Sequence, residues 1–176
     1  MKISKRVKIA GAVIVVVIVA FAAFMIFGMS DVVSNLATGA ETLHPNGTAT
    51  GEALVLYDQG LSGAPKDAAT KIAGDLRADG YEVVLAGIKS SAAANVSGYD
   101  VIVAGGPIYG GKVSSSIWSF LQALTPPAGA KVGAFAIGEG DAGSAFPAAV
   151  PLKAKALLAS QNEDARMEDF VAALLR

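Results

Sequence analysis

Few residues in this chain are equipped for chemistry, and they fall in three glycine-rich segments. Gly105-Gly-Pro-Ile-Tyr-Gly-Gly111 carries one aromatic, Tyr109, and leads into Lys112. Gly138-Glu-Gly-Asp-Ala-Gly143 carries two carboxylates, and Asp58-Gln-Gly-Leu-Ser-Gly-Ala-Pro65 carries Asp58 and Ser62 and leads into Lys66. Glycine lets backbone approach a ligand closely, and a polar loop beyond a strand's carboxyl end is where open α/β sheets bind ligands. The competing reading is a tight strand-to-helix connection with no ligand; for the Tyr109 loop taken alone the two stand level. His44 is the only histidine and there is no cysteine, so a solvated linker histidine is expected there rather than a metal site.

Each segment follows a buried strand. Val101 to Ala104 is a continuous apolar run, as in a strand covered on both faces, and Ala53 to Tyr57 and Lys131 to Ile137 read alike. Tyr81 to Ala86 is a shorter strand suited to a sheet edge. Between strands, Ala68, Ala69, Ile72, Ala73 and Leu76 recur at helical spacing after Pro65, and Gly80 can take the left-handed cap. Val113, Ile117, Phe120, Leu121 and Leu124 predict a helix over Ser114 to Leu124, stopped by Pro126 and Pro127, with Trp118 off its apolar face and expected to pack. Lys89 to Gly98 holds at most a short helix. Met167, Phe170, Val171, Leu174 and Leu175 mark a last helix over Asn162 to Leu175, with capping-box spacing at Ser160 to Glu163. For Lys153 to Ala159 local propensity favours helix, but topology wants a strand before the last helix, and strand is the expectation. Strands alternating with helices imply a doubly wound parallel sheet; in the order 2-1-3-4-5 the three glycine loops would surround one pocket.

The 176-residue chain is 53% hydrophobic, partly because Ile9 to Met29 contains no charged residue. As a helix that stretch would rise ~31 Å, enough to cross a bilayer's hydrocarbon core. Lys2, Lys5, Arg6 and Lys8 precede it, while the following linker holds Asp31 and Glu41 and no Lys or Arg. The expected organisation is a basic N-terminus over 1–8, an uncleaved single-pass anchor over 9–29, a flexible linker over 30–52 and one domain over 53–176. The positive-inside rule puts the N-terminus in the cytoplasm and the domain outside. The alternative, a cleaved signal peptide, is kept open by the small residues from Ala37 to Ala40. The sequons Asn46-Gly-Thr48 and Asn95-Val-Ser97 are compatible with the outside but weigh little. Beyond the N-terminal cations, 10 basic residues face 15 acidic ones, with no basic patch, which argues against a nucleic-acid partner.

Over 53–176 the sequence resembles the flavodoxin-like family of flavin mononucleotide (FMN) proteins. Gly106-Pro-Ile-Tyr-Gly-Gly-Lys112 is similar to the family's Gly-Ser-Pro-x-Tyr-x-Gly segment, whose aromatic packs beside the isoalloxazine ring, and Gly138-Glu-Gly-Asp141 to its Gly-x-Gly-Asp turn on the ring's other side. The resemblance implies a flavodoxin-like α/β fold and FMN contacts from Ser62, Gly63, Ala64 and Lys66 to phosphate, from Tyr109 to the ring face, and from Gly106, Pro107, Gly110, Gly138, Glu139, Gly140 and Asp141 to the ring edge. Asp58, Glu139 and Asp141 would then disfavour anionic reduced flavin. The phosphate loop departs from the family's Ser/Thr-x-Thr-Gly-x-Thr: Ser62 and Gly63 match, whereas Gly60 and Pro65 stand at hydroxyl positions and Pro65 lacks an amide donor.

The resulting expectation is a membrane-tethered FMN electron carrier, with no catalytic residue or metal site, exchanging electrons with a redox protein or quinone. The alternatives are a flavin-free flavodoxin-fold binding or sensing module and a flavodoxin-like quinone-linked dehydrogenase. A response-regulator receiver is excluded, because Gly105 and Gly106 stand where it needs a phosphorylatable Asp.

Overall fold

The computed structural model describes residues 13–22, 35–148 and 150–176. In chain order the strands are β1 (Ala40–Leu43), β2 (Gly51–Tyr57), β3 (Tyr81–Gly87), β4 (Val101–Tyr109), β5 (Lys112–Val113), β6 (Lys131–Ile137) and β7 (Ala154–Leu158). The helices following β2, β5 and β7 are α1 (Ala64–Ala78), α2 (Ser115–Ala123) and α3 (Asp164–Leu175), and a 3-10 turn spans Ser91–Ala94. The sheet runs β1-β3-β2-β4-β6-β7, with β5 paired to β4. Counted from β2, its five parallel strands have the predicted order 2-1-3-4-5.

The sheet departs from that expectation at two places. β1 pairs antiparallel with β3 from Ala40 opposite Ala86 to Leu43 opposite Val83, so part of the presumed linker is sheet and β3 is not an edge. Backbone bonding holds this strand rather than burial: its first three residues are exposed, while Gly87 and Lys89 donate N–H bonds to the carbonyls of Gly39 and Ala37. The second departure is between β6 and β7, where the described residues contain no helix and buried Ala145, Phe146 and Val150 cover the sheet instead.

Residues 13–22 are helical and exposed, and the rest of the predicted Ile9 to Met29 span lies outside the described residues. Among the described residues, no helix is long and apolar enough to cross a membrane.

The layers can be read from glycine positions. A Cβ on Gly133 would meet Phe170 and Leu174 of α3, whereas one on Gly106 would meet Ile117 of α2. Gly106 pairs with Ala136, three residues from Gly133, so α3 and α2 cover opposite faces. α1 joins α3 on its face, where Lys71 pairs with Asp164 at 2.6 Å. Nearby, half-buried Asp75 has an unpaired, buried Oδ2. Its carboxyl is raised above the ordinary 3.8, first by burial and then by the Glu168 charge, with Lys71 opposing. A raised carboxyl makes folding most favourable below its unfolded value, and that contribution is lost as pH rises through the folded value. Asp75→Asn should therefore raise the urea midpoint at neutral pH and flatten the decline expected of the parent from acid to neutral pH.

Helix ends follow the sequence. Gly80 takes φ +95° after α1, as expected. Before α3 half of the predicted capping box forms: the Glu163 carboxylate accepts the Ser160 N–H at 3.2 Å and also that of Ala159, while Ser160 Oγ instead accepts from Asn162 N–H. Arg166, together with these amides, holds the Glu163 carboxyl below its usual value.

Candidate functional site

Asp58, the first residue beyond β2, organises this end of the sheet. Its N–H continues the ladder to the Gly105 carbonyl at 2.9 Å, and the residue is 1% exposed. Oδ1 accepts the Gly60 N–H at 3.2 Å, and Oδ2 accepts the Ser116 hydroxyl at 2.5 Å, with Ser114 Oγ 3.2 Å from Ser116 Oγ. The carboxylate thus ties the loop after β2 to the start of α2 and is not turned toward an open loop face. Asp58→Ala leaves these donors without their acceptor, and we expect a loss of about 1–3 kcal/mol, read as a lower urea midpoint.

The loop then packs on β4. Gly60 has φ +60°, and a Cβ there would lie 2.9 Å from Pro107 Cγ. Pro107 is tolerated in a central strand because β2 pairs with β4 only as far as Gly105. Gly63, at φ +74°, is the N-cap of α1 and would have nothing within 4 Å of an added Cβ. Several groups in this turn are already engaged: Ser62 Oγ accepts the Ala64 N–H at 3.3 Å, and the Gly63 carbonyl accepts from Lys66 and Asp67. Ser62 and Lys66 are exposed at the N-terminus of this 15-residue helix, where backbone N–H groups and the helix dipole favour an anion.

β4 does not stop at Gly105 as the glycines suggest. It continues to Tyr109, turns through Gly110 (φ +58°) and Gly111 (φ +80°), and returns as β5. Two successive positive φ values are what a two-residue type I′ hairpin requires. Val113, assigned by its spacing to the following helix, is in β5 and buried. Gly106 is buried beneath the surface, facing Asp58, Ser114 and Ile117, and Pro107 is buried too. Tyr109 is half-buried at the rim, where burial raises its hydroxyl above the usual value and a backbone hydrogen bond from Leu61 opposes this. Beneath it Gly60 packs on Pro107, which brings the loop after β2 against the β4 hairpin. On the outer side Lys112 Nζ lies 5.1 Å from the ring centroid of partly buried Trp118, which packs against the core as expected.

The third loop meets the same hairpin. An added Cβ on Gly138 (φ +134°) would lie 2.9 Å from Ile108 Cβ, and one on Gly140 would lie 3.7 Å from the Gly111 carbonyl oxygen. Asp141 caps the turn that follows, accepting the Ser144 N–H through Oδ2 at 3.1 Å, and the Ala145 carbonyl accepts the Val113 N–H at 2.9 Å. Glu139, Gly140 and Asp141 remain exposed.

The predicted residues thus separate into two groups. Ser62, Gly63, Lys66, Tyr109, Gly110, Gly138, Glu139, Gly140 and Asp141 lie on three touching loops at the carboxyl ends of β2, β4 and β6. Ala64, Gly106 and Pro107 are buried in the scaffold beneath them. Sequence reading missed the Asp58–Ser116–Ser114 network; three consecutive serines, Ser114 to Ser116, two residues after the glycine turn were its signal.

A mostly parallel sheet in the order 2-1-3-4-5, with loops gathered at its carboxyl edge, has known counterparts. A flavodoxin from Streptococcus pneumoniae TIGR4 superposes with a TM-score of 0.52 at 18% identity, over 70% of this chain and 97% of that one. The chain has a flavodoxin-like fold. Oxidised flavodoxin 2 from Bacillus cereus matches this flavodoxin-like chain at TM-score 0.50 and 22% identity, again over 70% and 97%. The flavodiiron core of Flv1 from Synechocystis sp. PCC6803 matches at 0.51 and 19% over 74% of this chain and 35% of its own. No protein-family model and no curated protein matches the sequence.

Proposed function

We propose that this chain is a membrane-tethered electron carrier that binds FMN where its three glycine-rich loops meet. The observation that carries the reading is the anion-suited start of α1, Ser62 to Lys66, on the loop that packs against the β4 hairpin carrying Tyr109. The donor chemistry there fits a phosphate: the Ser62 hydroxyl hydrogen, the backbone at Ser62 and Gly63, and the Lys66 ammonium, all at a helix N-terminus. Tyr109 would hold the face of the ring, and the backbone of Gly110 and of Gly138 to Asp141 its polar edge. Bound FMN would supply one- or two-electron transfer. Exposed Glu139 and Asp141 would oppose negative charge building up beside them, while buried Asp58 would act chiefly by fixing the loop.

A second reading, a flavin-free binding or sensing module, draws on a specific observation. The amides of Ala64, Lys66 and Asp67 are bonded within the loop and Pro65 has none, so fewer donors are left for phosphate than the family pattern supplies. The absorbance spectrum of the purified full chain after incubation with FMN separates the two readings: protein-bound flavin bands support the carrier, and their absence supports the module.

In this proposal Ile9 to Met29 anchors the chain, Met1 to Lys8 is cytoplasmic, and the domain outside meets a redox protein or quinone. Protease added to intact cells should then digest the domain; full protection would reverse the orientation.

A further inference from the structure

The sheet ends in an open edge at β7. This strand is last in the sheet order and pairs with β6 alone, from Ala154 beside Gly133 to Leu158 beside Ile137; among the described residues no strand lies on its other side. One bond fixes which backbone groups face outward. The Leu158 carbonyl accepts the Gly138 N–H, so Ala154, Ala156 and Leu158 turn their N–H and C=O groups toward β6, and by the alternation of a strand Lys155 and Leu157 turn theirs away from it. The next N–H on the outer side, that of Ala159, is taken by the Glu163 carboxylate.

A concavity of 450 Å³ lies against this edge, lined by the run from Lys153 to Leu157 and by Arg166, Asp169 and Phe170 of α3. Its charged groups are Lys153, Lys155 and Arg166 against Asp169 alone, on a domain in which acidic residues outnumber basic ones. Arg166 is held by Glu163 at 2.8 Å. Lys153 and Lys155 are exposed, and among the described residues neither forms an ion pair.

An unpaired strand edge is a template for another chain, and its charges select which chain can use it. Two copies meeting edge to edge through β7 would bring like lysines together, which disfavours self-pairing. Residues 1–12 and 23–34 of this chain offer Asp31 alone against Lys2, Lys5, Arg6 and Lys8, so they do not match the edge either. We propose that the β7 edge docks an extended, acidic segment of a partner protein, its backbone pairing with Lys155 and Leu157 and its carboxylates lying against Lys153 and Lys155. Ala142 lines the same concavity, so the docked segment sits beside the loop after β6. The inference does not depend on flavin.

The test uses the isotope-labelled full chain and three end-blocked peptides: Thr-Glu-Val-Glu-Thr-Glu-Val-Glu, the same with glutamine for every glutamate, and the same with proline for every valine. The first should shift the amides of Lys155 and Leu157 saturably and slow their exchange with deuterium. The glutamine peptide lacks the charges and the proline peptide lacks two N–H donors, and each should bind at least about tenfold more weakly. Lys153→Gln combined with Lys155→Gln should weaken the first peptide by about tenfold while leaving the urea midpoint nearly unchanged, since both side chains are exposed. No saturable shift, equal binding of either control peptide, or binding that leaves exchange at Lys155 and Leu157 unaltered would overturn the proposal. Slow exchange of these two amides in the free chain would overturn it as well, because the edge would already be covered.

Discussion

Gly105→Ala should cost the fold about 3 kcal/mol, the upper end of what overpacking usually costs. A Cβ at this position would lie 2.2 Å from the ring of Phe135, its neighbour across the β4–β6 ladder. Phe135 is fully buried on the face covered by α1 and α3, so its ring cannot swing outward, and the strands would have to separate. Gly74→Ala is the matched control. Gly74 lies within α1 with nothing within 4 Å of an added Cβ, so alanine should there stabilise by about 0.5–1 kcal/mol through helix propensity. Urea unfolding midpoints moving in opposite directions for these two substitutions would establish that Gly105 serves close packing.

The second large effect concerns ligand affinity. On the FMN reading, Ser62→Ala and Lys66→Ala each remove a donor to phosphate, and each should weaken FMN by about tenfold, the double variant by about a hundredfold. The fold should be nearly unaffected, since both side chains are exposed and the Ser62 hydroxyl's only bond within the turn is to the Ala64 N–H. Weaker FMN binding with an unchanged unfolding midpoint is the expected pair of results. An affinity equal to the parent's in the double variant would place the phosphate elsewhere.

The parallel core was legible because burial on both faces leaves an unmistakable pattern: Val101 to Ala104 could hardly be anything but a central strand. The ends of that strand were less so. Gly105 to Gly111 looks like a loop by composition, yet Gly105 and Gly106 are glycines because Phe135 and Asp58 with Ile117 press on them, and only Gly110 and Gly111 form the turn. β1 gave no signal, because a four-residue strand with exposed faces is held by backbone bonds that side-chain patterns do not report. Lys153 to Ala159 illustrates the reverse: its alanines and leucines suit a helix, and pairing with β6 overrides that preference. Among site residues, Ser62 and Tyr109 were found from types and spacing. The burial of Asp58 could not be, since a charge after a strand reads as solvent-facing until its partner Ser116, 58 residues away, is placed beside it.

The most direct test of flavin binding is a fluorescence titration of FMN and of riboflavin, which lacks the phosphate, with the purified full chain. On the FMN reading the turn from Ser62 to Lys66 at the head of α1 holds the phosphate, so FMN should be quenched saturably and riboflavin should bind about a hundredfold more weakly. No quenching of either, or equal affinity for both, would contradict it.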